Sequence, residues 1–281
     1  MTKDQLLTRR RVLIGGAAAA GAAAGTAVLL TTGGDGTPAA RPATPAAGAP
    51  AHIALKPSAY RLQPLTGYGP PHAVTHGRTM VRREPLLRVS GRGRTMVLTF
   101  DDGPDPRYTP DILRTLREHD VRAMFFVCGE MAADHKDLLA EMAEDGHVVG
   151  NHTWSHPLLT RLTRSAIHSQ MERTCEVIED AYGEPPVWFR APYGAWNRAA
   201  FQLGADLGME PLAWTVDTLD WMTPGTRTIV DRVERGAAPG VVVLSHDAGG
   251  DRSQSVRALR DYLPQLLDSG YRITVPSRQY T

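Results

Sequence analysis

Cysteine is nearly absent from this chain: 281 residues contain only Cys128 and Cys175. That excludes a disulfide-dense scaffold and any zinc ribbon built on cysteine ligands. With Cys128 on a predicted buried strand and Cys175 on a predicted helix, both read as free packing residues. An excess of either charge is missing too, since 31 Lys and Arg against 30 Asp and Glu leave a formal net charge of +1. Hydrophobic residues at 42% and charged residues at 22% fit neither a disordered polyelectrolyte nor a nucleic-acid-binding surface. The surplus is local: Lys3, Arg9, Arg10 and Arg11 against Asp4 place +3 before residue 33 and leave −2 for the rest. No internal repeat of fixed length occurs.

The first thirty residues read as an address. Thr8-Arg9-Arg10-Arg11-Val12-Leu13 precedes an uncharged, Ala/Gly-rich run from Val12 to Leu30. This resembles a twin-arginine export signal over residues 1–32. Its 19 apolar residues also have the length of an N-terminal membrane anchor, but Ala and Gly insert less favourably than Leu, Ile and Val. No Cys follows to carry a lipid, and Ala39, Ala40 and Ala43 offer cleavage positions. Residues 33–58, rich in Pro, Ala and Gly, cannot bury enough apolar surface to fold alone and read as a linker. Residues 59–94 keep Pro and Gly punctuation without a clear period and read as an irregular strap. The secreted or cell-envelope catalytic domain is then residues 95–281.

From residue 95 strands and helices alternate. Apolar, β-branched runs at Thr95–Phe100, Val121–Cys128, His147–Gly150, Val187–Arg190, Leu212–Val216, Val241–Leu244 and Tyr271–Val275 predict seven strands. Between them, Thr109-Pro110 opens a helix, Thr163 opens the Ile167/Met171/Ile178 helix that Gly183 closes, and Gly146, Gly208, Gly236 and Gly270 close others. Strict alternation implies parallel βαβ units, in an open doubly wound sheet or a barrel. The polar residues at the strand ends favour a barrel rim: Asp101 and Asp102, Asn151 and His152, Arg190, Asp217 and Asp220, His246 and Asp247.

Thr99-Phe100-Asp101-Asp102-Gly103 sets two carboxylates side by side, which needs a cation and a basic group nearby if both are to stay ionised. His152 and His156 lie four residues apart, one helical turn, where one cation can sit between two imidazoles. His72 and His76 repeat that spacing inside the strap, without carboxylate neighbours, and read as surface residues. An Asp-His-His set with open positions suits a catalytic Zn²⁺ that activates water near neutral pH. If Asp102 is the ligand, Asp101 is left to act as base. Arg190 is suited to keeping that base ionised, His246 beside an acid to serving as general acid, and Trp221 to stacking on a sugar ring. A serine triad within Ser245-His246-Asp247 is excluded because consecutive strand residues face opposite ways, and no Gly-x-Ser-x-Gly elbow is present.

Taken together, Thr99–Gly103, His152-Thr-Trp-Ser-His156, Arg190-Ala-Pro-Tyr193, Asp217-Thr-Leu-Asp220-Trp221 and Leu244-Ser-His246 resemble the polysaccharide deacetylase family, the NodB-homology carbohydrate esterases. Five motifs appear in the family's order over residues 95–275, and none departs from its pattern. The resemblance implies an α/β fold, a distorted seven-stranded parallel (β/α) barrel, and metal-dependent hydrolysis of acetyl groups from polysaccharide, releasing acetate. It implies Asp102, His152 and His156 as ligands of Zn²⁺, Co²⁺ or Ni²⁺, Asp101 as base and Arg190 as its tether. It further implies His246 as acid tuned by Asp220, the Tyr193 amide as oxyanion donor, and Trp221 with Leu244 as the wall around the acetyl methyl. The expected substrates are N-acetylglucosamine residues of peptidoglycan or chitin, with an acetylxylan-type O-acetyl esterase and a non-catalytic wall-binding module as alternatives. No stable protein partner is implied, and a monomer is expected.

Overall fold

The computed structural model describes residues 79–89 and 93–276, so the expected export signal, the linker, His72, His76 and most of the strap lie outside the described residues. Strand β1 (Thr95–Asp101) is buried along its whole length. Alternate residues of a strand point to opposite faces, and here the two faces enter different cores. Met96, Leu98 and Phe100 pack outward among Ile112, Leu116, Leu259 and Leu263. Val97 packs inward with Met124, Phe126, Trp188, Leu212 and Val242. The same parity sends Thr99 and Asp101 inward, so the interior is apolar at the start of β1 and polar at its end.

The other strands are short: β2 (Met124–Val127), β3 (Val148–Asn151), β4 (Trp188–Phe189), β5 (Glu210–Pro211), β6 (Val216–Asp217), β7 (Val241–His246) and β8 (Arg272–Ile273). Seven run in the order β5-β4-β3-β2-β1-β7-β6 with every pairing parallel, while β8 pairs with the start of β1. Helices α1 (Thr109–Glu118), α2 (Gly129–Asp134), α3 (Lys136–Glu144), α4 (Arg164–Tyr182), α5 (Arg198–Asp206), α6 (Thr226–Gly236) and α7 (Ser253–Asp268) supply the crossovers. The result is the expected curled parallel (β/α) sheet with its helices outside. Helix α4 follows its sequence signals: Thr163 Oγ1 accepts the Ala166 N–H, Ile167, Met171 and Ile178 are buried, and Gly183 ends it at φ +94°. Among the described residues no helix is long and apolar enough to cross a membrane, and both cysteines are free.

Two expectations need correction. The strand expected at Leu212–Val216 does not exist as one element: β5 ends before it, β6 starts at its last residue, and the two pair with opposite edges of the sheet, β4 and β7. Its chain must cross the seam between those edges, and a continuous ladder cannot do so. Gly236 does not cap α6 but lies within its last turn, where a side chain would overlap Val216. The strap takes part in the seam. Leu86 forms a parallel bridge to Leu212 and Arg88 an antiparallel one to Val241, joining the β5 edge to β7.

Burial predicts the energetic contrast along these elements. Leu98→Ala, at a fully buried position, is expected to lower the unfolding free energy by about 2–5 kcal/mol. Leu87→Ala, at an exposed one, should change it by no more than about 0.5 kcal/mol. Urea unfolding of the two variants measures the difference, and similar values would contradict this placement of the core.

Candidate active site

The inward face of β1 ends at Asp101, which is buried and accepts a hydrogen bond from Arg190 Nη1 at 2.6 Å. Arg190 follows β4 and has no exposed surface. Its planar fork is occupied on every side: Nη1 also donates to Thr99 Oγ1 (2.7 Å), Nε to the Leu212 carbonyl (3.0 Å) and Nη2 to the Ala213 carbonyl (3.1 Å). Its guanidinium lies 4.1 Å from the Phe126 ring centroid. A lone sequence arginine is ordinarily a surface residue, so this burial is informative. Burial pushes the Asp101 carboxyl up to about 6, while Arg190 and His246 hold it from rising further.

Asp102 leaves the strand in a left-handed conformation (φ +78°), its N–H donating to the Phe126 carbonyl at 3.2 Å. Gly249 packs against it so closely that a Cβ would come within 2.6 Å of Asp102 Oδ2. The two histidines reach it from the segment after β3. The expected helical turn is absent there; the chain instead uses positive φ at Thr153 (+70°) and His156 (+55°). Asn151 and Gln170 support this loop. Asn151 Oδ1 accepts the Thr153 N–H, and Gln170 Oε1 accepts the Trp154 and Ser155 N–H groups. Positive φ at such residues costs free energy, and it recurs at functional sites where the surroundings enforce it.

His152 Nδ1–H donates to the Arg190 carbonyl at 2.8 Å, which leaves the lone pair on Nε2. That Nε2 lies 3.6 Å from Asp102 Oδ1 and 3.7 Å from Asp101 Oδ2, while His156 Nε2 lies 3.2 Å from Asp102 Oδ1. The ligand atoms of Asp102, His152 and His156 all fall within 4.8 Å of one another. Asp102 Oδ1 is buried and accepts no hydrogen bond. An acceptor so placed, facing two imidazoles, is the environment a divalent cation completes. Burial and the neighbouring His156 push His152 well below the ordinary imidazole value, so it is neutral, as a ligand must be.

The facing wall is built on β7. His246 stands beside Asp101 at the same register of the β1–β7 ladder. Its Nδ1–H donates to Asp220 Oδ1 at 2.7 Å, and its backbone N–H donates to Asp220 Oδ2 at 2.9 Å. Ser255 Oγ donates to the same Oδ2 at 2.6 Å, and the buried Arg252 donates to the Asp220 carbonyl at 3.3 Å. Burial alone would discharge the imidazole, but Asp220 outweighs it and raises His246 to about 9. Burial likewise opposes the ionised Asp220, yet the His246 charge and these donors hold its carboxyl below the usual range.

Tyr193 and Trp221 complete the rim. Tyr193, at φ +61°, packs edge-to-face with His156, ring centroids 4.4 Å apart, and donates its OH to the His156 carbonyl at 3.3 Å. Trp221 projects from the turn after β6 with 42% of its surface exposed, so it is not a core residue, whereas Leu244 on β7 is buried. The structure therefore gathers all ten residues singled out in the sequence at one end of the sheet. Asn151 and Asp217 serve the loops, the latter accepting the Leu219 N–H at 2.8 Å. Sequence reasoning missed Thr99, Arg252 and Ser255 as partners, and left Asp247 without a role. Asp247 is buried beneath Gly103, accepts from Thr109 Oγ1 at 2.6 Å, and is raised by burial to about 7. Its place after His246 was the one available signal; Ser255 and Arg252 stand on or next to a distant helix with no motif.

A family model described as polysaccharide deacetylase matches residues 88–212. A chitooligosaccharide deacetylase of Rhizobium leguminosarum bv. trifolii is 37% identical over 207 residues, covering 70% of this chain and 96% of that protein. The chain belongs to the polysaccharide deacetylase family. A peptidoglycan-N-acetylglucosamine deacetylase of Bacillus cereus is 38% identical over 184 residues, 65% of this chain and 67% of that one. Among solved structures, a peptidoglycan N-acetylglucosamine deacetylase in complex with 4-naphthalen-1-yl-N-oxidanyl-benzamide superposes with a TM-score of 0.65. It is 35% identical, with 67% of this chain and 89% of that one covered.

The Asp220–His246 pair makes this polysaccharide deacetylase fold pH-sensitive in a defined direction. His246 has a folded pKa of about 9, above its ordinary 6.5, so its stabilising contribution is complete below pH 6.5 and is lost as the pH rises through 9. In metal-free protein, raising the pH from about 6.5 to 9.5 is expected to lower the unfolding free energy. Asp220→Asn should make that loss smaller, as denaturant unfolding at the two pH values would show. An equal loss in both proteins would contradict the pairing.

Proposed function

We propose that this chain is a divalent-metal-dependent N-deacetylase that hydrolyses the acetamido group of N-acetylglucosamine residues in a wall or chitin-type polysaccharide and releases acetate. One observation carries the reading: Asp101, bonded to Arg190, and His246, bonded to Asp220, stand side by side at the strand ends next to the Asp102, His152 and His156 cluster. Asp101 is raised by burial to about 6 and His246 by Asp220, against burial, to about 9, so between those values the carboxylate is ionised and the imidazole protonated, as a base and an acid must be. The chitooligosaccharide and peptidoglycan deacetylases described above support it. The Arg-rich start of the sequence supports export through the twin-arginine route.

Asp102, His152 and His156 would hold the cation. When bound, it supplies Lewis-acid activation of water and of the acetyl carbonyl; zinc fits the mixed carboxylate and imidazole donors. Asp101, kept ionised by Arg190, takes the proton of the attacking water on its carboxylate. The Tyr193 backbone N–H is the donor assigned to the developing oxyanion in this reading. His246, kept protonated by Asp220, gives its Nε2 proton to the departing sugar nitrogen. An amine is a poor leaving group unless protonated, so an imidazole charged up to about pH 9 suits amide cleavage better than ester cleavage. Leu244 and Trp221 shield the acetyl methyl, and exposed Trp221 offers an indole face to a sugar ring.

The test is acetate release from N-acetylglucosamine oligomers, before and after chelation and after restoring Zn²⁺. Activity is expected to vanish with chelator and return with metal, and Zn²⁺ should raise the melting temperature of the wild type but not of Asp102→Ala. Asp101→Asn should lower kcat by about 10²- to 10⁴-fold. The alkaline limb of kcat/KM, near pH 9 in the wild type, should move toward neutrality in Asp220→Asn. Activity indifferent to chelation, or undiminished in Asp101→Asn, would overturn this function.

A further inference from the structure

The residues between β5 and β6 belong to neither strand, yet they hold the buried guanidinium. Leu212 and Ala213 give their carbonyls to Arg190 Nε and Nη2 at 3.0 and 3.1 Å. Their own position is set from two sides. On one, the Leu212 N–H donates to the Phe189 carbonyl of β4 at 2.9 Å. On the other stands a single strap residue: the Leu86 N–H donates to the Pro211 carbonyl at 2.9 Å, and the Leu86 carbonyl accepts the Ala213 N–H at 2.8 Å. These two bonds bracket Leu212. The Leu86 side chain packs against the inner cluster of Val97, Phe126, Trp188 and Leu212, and Phe126 is the ring on which Arg190 stacks.

We propose that Leu86 is a positioning residue for the reaction: through Pro211 and Ala213 it fixes the two carbonyls that aim Arg190 at Asp101. The proposal rests on the deacetylase reading, in which Asp101 is the base. A guanidinium presents its donors in a rigid fork, so a shift of the two carbonyls turns the whole plane and carries Nη1 away from Asp101 Oδ1. Without Leu86, the stretch from Pro211 to Ala213 keeps only the Leu212 N–H bond to Phe189 of β4, the next backbone bond of the seam being that of the Thr215 N–H to the Val242 carbonyl of β7 at 3.0 Å. The strap thereby joins the reaction through backbone atoms, from a position with no polar side chain.

The strap carries its own control. The Val89 N–H donates to the Gly240 carbonyl at 3.0 Å, at the start of β7 and away from Leu212 and Ala213. In the full-length protein, Leu86→Pro and Val89→Pro each delete one backbone donor from the same strap. Assayed well below both melting temperatures with saturating metal, Leu86→Pro is expected to lower kcat about 10- to 100-fold while KM changes less than about twofold. Val89→Pro should leave kcat within about twofold of the wild type. Nitrogen-15 NMR gives a readout independent of turnover: the Arg190 Nε–H signal, identified by its loss in Arg190→Lys, should exchange slowly in the wild type and in Val89→Pro and markedly faster in Leu86→Pro. Should Leu86→Pro fail to fold, Leu86→Gly against Val89→Gly is the milder pair, expected to show the same split at about two- to fivefold in kcat. Equal kcat losses in the paired variants, or a signal still protected when Leu86 is replaced, overturn the proposal. A wild-type protein that releases no acetate sinks the deacetylase reading instead, and the exchange comparison then decides the role of Leu86 alone.

Discussion

The ion pair between Arg190 and Asp101 is the constraint around which the barrel is arranged. Both residues are removed from water, and burying two charges costs several kcal/mol per ion unless the remaining donors and acceptors are satisfied. Satisfaction here draws on three separate elements: Thr99 from β1, the Leu212 and Ala213 carbonyls from the seam, and the Phe126 face from β2. A regular fifth strand would commit those carbonyls to ladder hydrogen bonds. Its interruption releases them, so the irregularity that distorts the barrel is also what makes room for a buried guanidinium.

Three aspartates of the site meet three different fates, decided by where each stands relative to the end of its strand. Asp101 is the last inward residue of β1 and inherits Arg190. Asp102, one residue later, would point outward on a continuing strand; the left-handed turn at its own α-carbon returns its carboxylate to the histidines instead. Asp220 lies beyond the end of β6, where the His246 amide, the His246 ring and Ser255 converge on it. Each histidine is then fixed by its partner. A backbone carbonyl on Nδ1 leaves His152 a neutral donor toward the site, whereas a carboxylate on Nδ1 keeps His246 charged.

What the sequence made legible is what alternation and capping encode. Strand β1 was readable because Met96 to Asp101 are all apolar or site-forming, and α4 because Thr163 and Gly183 bound a buried stripe. The site was legible through five motifs of three to five residues, each at a strand end. Three things were not. The break at Leu212–Val216 is invisible in an apolar run, since its cause is the tertiary seam. The His152–His156 spacing suggests a helical turn, and what replaces it depends on Asn151 and on Gln170 in the following helix. Ser255 and Arg252 act on Asp220 from a distant segment, with no periodic trace to betray them.

The strap shows the same limit from another side. Its two inward residues, Leu86 and Val89, flank the exposed Leu87 and Arg88, too short a pattern to declare a strand. Its contacts with the sheet run chiefly through backbone N–H and C=O groups, which every residue but proline carries alike. Composition therefore reads the segment only as an irregular strap, although its hydrogen bonds place it at a gap of the sheet that lies against the carbonyls holding Arg190. A segment that works through its backbone leaves its mark in topology rather than in residue type. Its importance follows from where the sheet fails to close.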